Sequence, residues 1–166
     1  MEQRPLLSIP KTTLENVHNG LSIAAILFSI GYFAFQWSSL PVKMPIHFNA
    51  QGEADGYGSK YVLFGLVIIP IILYIGFTVL RNYPHKFNYP MPITERNAAH
   101  HYQVSIMLLS WLKLEIIILF SYILWASVRD GLGYAAGLGI WLMPVILVTV
   151  VGTIIVAMVR MMKFSA

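Results

Sequence analysis

Four apolar stretches, each long enough to cross a bilayer, leave this chain few folds to choose from. They run approximately from Gly20 to Leu40, Tyr61 to Leu80, Val104 to Val128 and Gly137 to Val159. A helix rises about 1.5 Å per residue, so roughly 20 residues cover the ~30 Å hydrocarbon core. Of the 166 residues, 57 % are hydrophobic and 11 % are charged, against about 25 % charged in a soluble domain. A soluble fold of this size could not hide that much apolar surface, so the lipid bilayer is the expected surrounding. The expected architecture is all-α: one domain over residues 1–166, an integral membrane four-helix bundle with an ordered Gly/Pro-rich outer loop between helices 1 and 2.

The opening segment MEQRPLLSIPKTTLENVHNG is too polar for a signal-peptide core. The apolar run after it lacks a small-residue cleavage site and is expected to be an uncleaved first span. Arg4, Lys11, Arg81, Lys86, Arg96, Arg160 and Lys163 fall on one side of the alternating spans, and Lys43, Lys60 and Arg129 on the other. Seven against three predicts that both termini face the cytoplasm. The net charge of +4 is then a matter of orientation and lipid headgroups, and nucleic acid is not an expected partner. With 0 Cys, disulfides, thiolate catalysis and Cys-based zinc sites are excluded.

Pro70 and Pro144 fall inside the second and fourth spans and are expected to kink them. Gly133 and Gly137, four apart, are small-residue candidates for close helix approach within the molecule or across a homo-oligomer.

The loop LPVKMPIHFNAQGEADGYGSK, Leu40 to Lys60, is unlike a generic linker. Pro41 and Pro45 favour extended backbone before them, and Ile46, His47 and Phe48 read as a short extended piece. Gly52, Gly56 and Gly58 mark a turn-rich section where positive φ is expected. Asn49, Gln51, Glu53 and Asp55 place oxygen-bearing side chains at alternate positions. However, the Gly and Glu of a calcium loop do not fall correctly. His47 and Asp55 would supply two ligands to a transition metal, which is not a site. Two roles stay open for the loop: a binding or sensing surface built from His47, Asn49, Gly52, Asp55 and Lys60, or an ordered cap. In the cap, His47 and Asn49 bond the loop backbone and Lys60 anchors at headgroups.

These residues carry a resemblance. Pro41, Pro45, His47, Phe48, Asn49, Gly52, Asp55, Gly56 and Lys60 match the outer-loop pattern of a bacterial membrane family, domain of unknown function sixteen forty-eight. FNYPMPITERNAAHHY, Phe87 to Tyr102, resembles the family's middle loop through Asn88, Pro90, Glu95 and Asn97. The resemblance spans roughly Gly20 to Val128. The same domain is similar to the N-terminal part of immunity proteins against the sporulation-delaying killing peptide. The resemblance thus implies peptide immunity or signal reception.

In the middle loop His85, His100 and His101 with Glu95 invite a metal hypothesis, but adjacent residues on a helix diverge by about 100°. Interfacial histidines are the simpler expectation, with Arg96 pairing to His100 and Asn97 to His101. Thr94 and Asn97 suggest a helix start, with Glu95 to Gln103 opening the third helix.

Lys113 and Glu115 are the ionisable residues expected inside a span, where such groups are functional candidates by default. Two positions apart, they point to opposite faces. Lys113 is expected to snorkel. Glu115 is expected to be neutralised by protonation, or satisfied by hydroxyls such as Thr149, Thr153, Ser29 or Tyr32. Structural polar glue and a proton- or ligand-linked role both stay open for it. No HExxH, GxSxG or paired intramembrane aspartates appear, so no catalytic residue and no cofactor is assigned. The expected function is non-enzymatic: sensing of, or immunity to, an extracytoplasmic antibacterial peptide, with that peptide or another membrane protein as partner. The alternative is a small transporter or accessory membrane subunit using Glu115; a membrane-embedded enzyme ranks last.

Overall fold

The computed structural model describes residues 4–134 and 137–163. Four α-helices make up the body: α1 (Thr13–Gln36), α2 (Phe64–Leu80), α3 (Ala98–Gly131) and α4 (Leu142–Met162). Each lies in a segment long and apolar enough to cross a membrane. The expected all-α bundle is therefore present, with one addition. The connection between α1 and α2 is a β-hairpin of β1 (Lys43–Phe48) and β2 (Ala54–Ser59).

α3 is the central element. At 34 residues it is longer than a bilayer needs, and α1, α2, α4 and β1 all pack against it. Its buried residues, among them Tyr102, Ile106, Lys113, Ile117, Leu124 and Val128, recur around the helix rather than along one stripe. That is the pattern of a helix with neighbours on several sides. α4 is peripheral, and Ala157 and Met161 are its only buried residues. At the hairpin end, Phe33, Leu40, Met44, Leu63, Leu124 and Val128 close a compact apolar cluster. At the opposite end, Arg4 donates to the carbonyls of His85 and Phe87, and Tyr102 donates to that of Pro5. The N-terminal segment is thereby tied to the α2–α3 connection.

Several element boundaries differ from expectation. α1 begins seven residues before Gly20, because Thr12 and Glu15 form a reciprocal capping box. Glu15, His18 and Asn19 are thereby helical and face the bundle or its edge. α1 consequently carries buried ionisable residues of its own, Glu15 and His18, beside those expected in α3. α3 starts at Ala98 rather than Glu95, after a turn in which Asn97 Oδ1 accepts from the Thr94 N–H. α4 starts at Leu142, so Pro144 sits in its first turn. There the backbone N–H has no intrahelical acceptor to lose, and the expected interior kink has no cause. Pro70 does lie inside α2, and it is buried. Gly133 and Gly137 precede α4 with φ of 78° and 65° and mediate no helix–helix approach. Ala135 and Ala136 between them lie outside the described residues.

Candidate functional site

The hairpin is built from short-range rules. β1 and β2 pair antiparallel from Lys43↔Ser59 to Phe48↔Ala54, with register shifts on either side of His47. Shifts of this kind re-aim side chains and are common beside functional sites. The turn between the strands is organised by Asn49. Its Oδ1 accepts from the N–H groups of Gln51 (3.0 Å) and Glu53 (2.9 Å), and its Nδ2 donates to Glu53 Oε2 (3.1 Å). Gly52 turns the chain at φ 80°, a region open mainly to glycine. Gly56 and Gly58, expected at positive φ, are instead ordinary strand residues. They are small because β1 side chains lie across them: a Cβ on Gly56 would come within 2.8 Å of His47 Cβ.

Across this glycine His47 Nδ1 meets Asp55 Oδ1 at 2.5 Å, with the two side chains 72 % and 45 % exposed. The pair faces solvent on a scaffold that is itself held firmly. Lys60 Nζ donates to the carbonyls of Trp37 (3.2 Å) and Leu40 (3.3 Å) and lies 4.3 Å from the centroid of the Trp37 ring. These bonds satisfy carbonyls at the end of α1 and tie the foot of β2 to it. Lys60 is therefore a clamp rather than the expected headgroup anchor, and His47 bonds Asp55 rather than the loop backbone. On the opposite flank, the Leu138 N–H donates to Gly52 O at 2.6 Å. A cavity of about 230 Å³ opens there between Phe48, Asn49 and Gly52 of the hairpin and Leu138, Leu142 and Met143. His47, Asn49, Gly52 and Asp55 thus share one hairpin, and Lys60 fixes its base.

Lys113 and Glu115 are not part of this surface. Lys113 is buried and does not snorkel. Its Nζ donates to Asn19 Oδ1 (2.5 Å) and Thr78 Oγ1 (3.4 Å), and sits 4.8 Å from the Tyr74 ring centroid. These partners lie on α1 and α2, so the ammonium is solvated by the bundle instead of by the interface. Glu115 points the other way, where Thr153 of α4 donates to Oε1 at 2.6 Å. Its Oε2 is buried without a hydrogen-bond partner among the described residues.

Beside Lys113 runs a second polar layer that the sequence reading did not identify. Arg81 donates twice to Glu15, Nε to Oε1 at 2.9 Å and Nη2 to Oε2 at 3.2 Å. His18 Nδ1 meets Ser110 Oγ at 2.9 Å, and its ring packs edge-on to Trp111. The Thr12–Glu15 spacing was a usable sign of the early helix start; nothing local pointed to Arg81, sixty-six positions away.

The histidines of the α2–α3 connection do not converge. His100 Nε2 contacts the Arg160 carbonyl at 3.1 Å, whereas His101 is buried with neither ring nitrogen hydrogen-bonded among the described residues. The expected Arg96–His100 and Asn97–His101 side-chain pairs are therefore replaced by a contact to α4 and by burial. Near them Tyr89 donates to Pro84 O or Ser105 Oγ, at 2.9 and 2.8 Å. Burial pushes its phenol up to about 12.

Comparison with known proteins bears on the α1–hairpin–α2 part. Residues 24–74 match the family described as Domain of unknown function (DUF1648). The match covers the hairpin and the adjoining parts of α1 and α2, and the middle-loop resemblance at Phe87 to Tyr102 lies beyond it. An uncharacterized protein of Archaeoglobus fulgidus is 36 % identical over 78 residues, 42 % of this chain and 43 % of the relative. The alignment thus spans less than half of that relative's length. No solved structure matches the chain. The part of the chain that is similar to the DUF1648 family is thus the hairpin with the halves of α1 and α2 that adjoin it, residues 24–74.

Proposed function

We propose that this chain is a multi-pass protein of a bacterial cell membrane that binds an antibacterial peptide on its extracytoplasmic side and gives immunity to it. The observation that carries this reading is the His47–Asp55 pair, exposed at 72 % and 45 % on a hairpin clamped at both flanks. A surface already ordered loses little conformational entropy on binding, so even a small polar contact set contributes usefully to affinity. The Lys/Arg asymmetry supports the orientation. Arg4, Lys11, Arg81, Lys86, Arg96, Arg160 and Lys163 lie toward the end opposite the hairpin, the asymmetry expected of a protein with that end in the cytoplasm and the hairpin outside.

A second reading rests on Glu115. A half-buried carboxyl group, with one oxygen bonded to Thr153 and the other enclosed without a partner among the described residues, suits a proton-linked step in a small transporter or accessory subunit. The two readings separate in one experiment. Cells with and without the protein are exposed to secreted antibacterial peptides while membrane depolarisation is recorded, with His47→Ala, Asp55→Ala and Glu115→Gln variants in parallel. Peptide immunity predicts protection lost in the two hairpin variants and retained in Glu115→Gln. The converse pattern favours the proton-linked reading, and no protection by the wild type against any peptide refutes immunity.

A further inference from the structure

α3 and α4 touch at Val104, Ala157 and Met161, yet between them a lateral groove of about 350 Å³ opens. Its walls include Leu108, Trp111 and Val156, with Gly152 at the side and Arg160 at one end. Three features define what could fill it.

The first is length. From Thr149 to Arg160 the groove follows eleven helical steps along α4, about 16 Å at 1.5 Å per residue. That is about half of a ~30 Å hydrocarbon core, the depth of one leaflet.

The second is polarity. Thr149 and Thr153 line the deep part, but their hydroxyls are occupied. Thr149 donates to the carbonyls of Val145 and Ile146 in its own helix, and Thr153 donates to Glu115. Neither threonine has a proton left to donate to a ligand, and the lining around them is mainly apolar. Gly152 enlarges the space: no atom lies within 4 Å of where its Cβ would be, and its φ is not positive. A mid-helix glycine costs about 0.5–1 kcal/mol relative to Ala, and here no protein atom uses the room it opens.

The third is charge at the mouth. Arg160 forms no ion pair among the described residues. It lies at the end of the bundle that also carries Arg4, Arg81, Lys86, Arg96 and Lys163. Basic pockets between membrane helices bind anionic lipid headgroups.

We infer that the α3–α4 groove is a binding site for one phospholipid with an anionic headgroup, its phosphate against Arg160 and an acyl chain along Gly152 and Val156. The site is independent of the hairpin and of any peptide bound there.

Delipidated full-length protein in mild detergent tests this. Phosphatidylglycerol, phosphatidylcholine or inorganic phosphate is added, and bound lipid is counted by native mass spectrometry. One phosphatidylglycerol per chain is expected, preferred over phosphatidylcholine about fivefold, the weight of a single basic residue at an anionic surface. Arg160→Gln removes that preference, whereas Lys163→Gln, one turn away, keeps it. Gly152→Leu, which the open space accommodates, weakens both lipids at least about fivefold with helicity unchanged. If Gly152→Leu lowers helicity, Val156→Trp fills the same groove from the other side.

Equal binding of the two lipids overturns the proposal, as does a preference removed equally by Lys163→Gln. So does lipid binding that survives filling of the groove. Displacement of bound phosphatidylglycerol by inorganic phosphate alone would also overturn it, in favour of an anion site without the acyl chain. A lipid-independent dimer broken by Gly152→Leu would show that a second copy of the chain occupies the groove.

Discussion

Gly137→Ala, set beside Gly133→Ala, isolates what holds the hairpin in place. Both glycines have positive φ, 65° and 78°. Either alanine therefore meets the left-handed penalty of about 1–2 kcal/mol. Around Gly133 a new Cβ meets nothing within 4 Å, whereas at Gly137 it would collide with the carbonyl of Gly52. The hairpin must then retreat, and the bond from the Leu138 N–H to Gly52 O at 2.6 Å is lost. Leaving the carbonyl of buried Gly52 and the half-buried Leu138 N–H unpaired adds about 1–3 kcal/mol. Gly137→Ala should thus cost about 2–5 kcal/mol and Gly133→Ala about 1–2 kcal/mol. Hydrogen exchange measured amide by amide reads the difference. A local loss of about 2 kcal/mol speeds exchange of the Leu138 amide roughly 30-fold in Gly137→Ala, with little change in the core of α3. If the two variants agree within about 0.5 kcal/mol, or Leu138 stays equally protected in both, the contact does not hold the hairpin and the reasoning fails.

Four further outcomes follow from the polar contacts. Glu15→Gln breaks a two-bond pair to Arg81 of which Glu15 is buried, and should destabilise by about 3 kcal/mol in thermal or chemical unfolding. Thr12→Ala, which removes the cap alone, should cost about 1 kcal/mol. Asn19→Ala should cost more than Lys113→Met in the same assay, because the first leaves a buried ammonium with only the longer Thr78 bond and the Tyr74 ring while the second removes the charge along with its need for a partner; the reverse order would mean that water replaces Asn19. The phenol of Tyr89, pushed up to about 12 by burial, favours the folded state fully below the unfolded value of about 10, and that contribution disappears as pH rises from there through about 12. Tyr89→Phe should flatten the fall in stability over that window; an unchanged slope would exclude Tyr89 as its source.

Much of the hairpin was legible because it is made by neighbours in the chain. Pro41 and Pro45 favour extended backbone, Asn49 closes an Asx-type turn within four residues, and Gly52 takes the positive φ that the turn needs. Even here the pattern misled at Gly56 and Gly58. A glycine's freedom and its small size leave the same letter in the sequence, and only the cross-strand neighbours His47 and Ile46 reveal that size was what mattered. Lys60 was misplaced for a related reason, since its partners at Trp37 and Leu40 come from the far side of the hairpin.

The interior divides along the same line. Four apolar segments follow from the sequence alone, because lipid tests each stretch one by one for length and polarity, and each helix satisfies its own backbone. The divergence of Lys113 and Glu115 follows too, from the pitch of a single helix. Which partners they meet was decided by the packing. The placement of α1 and α2 on one side of α3 brings Asn19, Thr78 and Tyr74 to Lys113, and the placement of α4 on another brings Thr153 to Glu115. Arg81 reaches Glu15 only because α2 returns beside the capped start of α1. A bilayer selects helices individually by transfer free energy, but polar groups inside it are satisfied between helices, and that pairing exists only once the bundle has assembled.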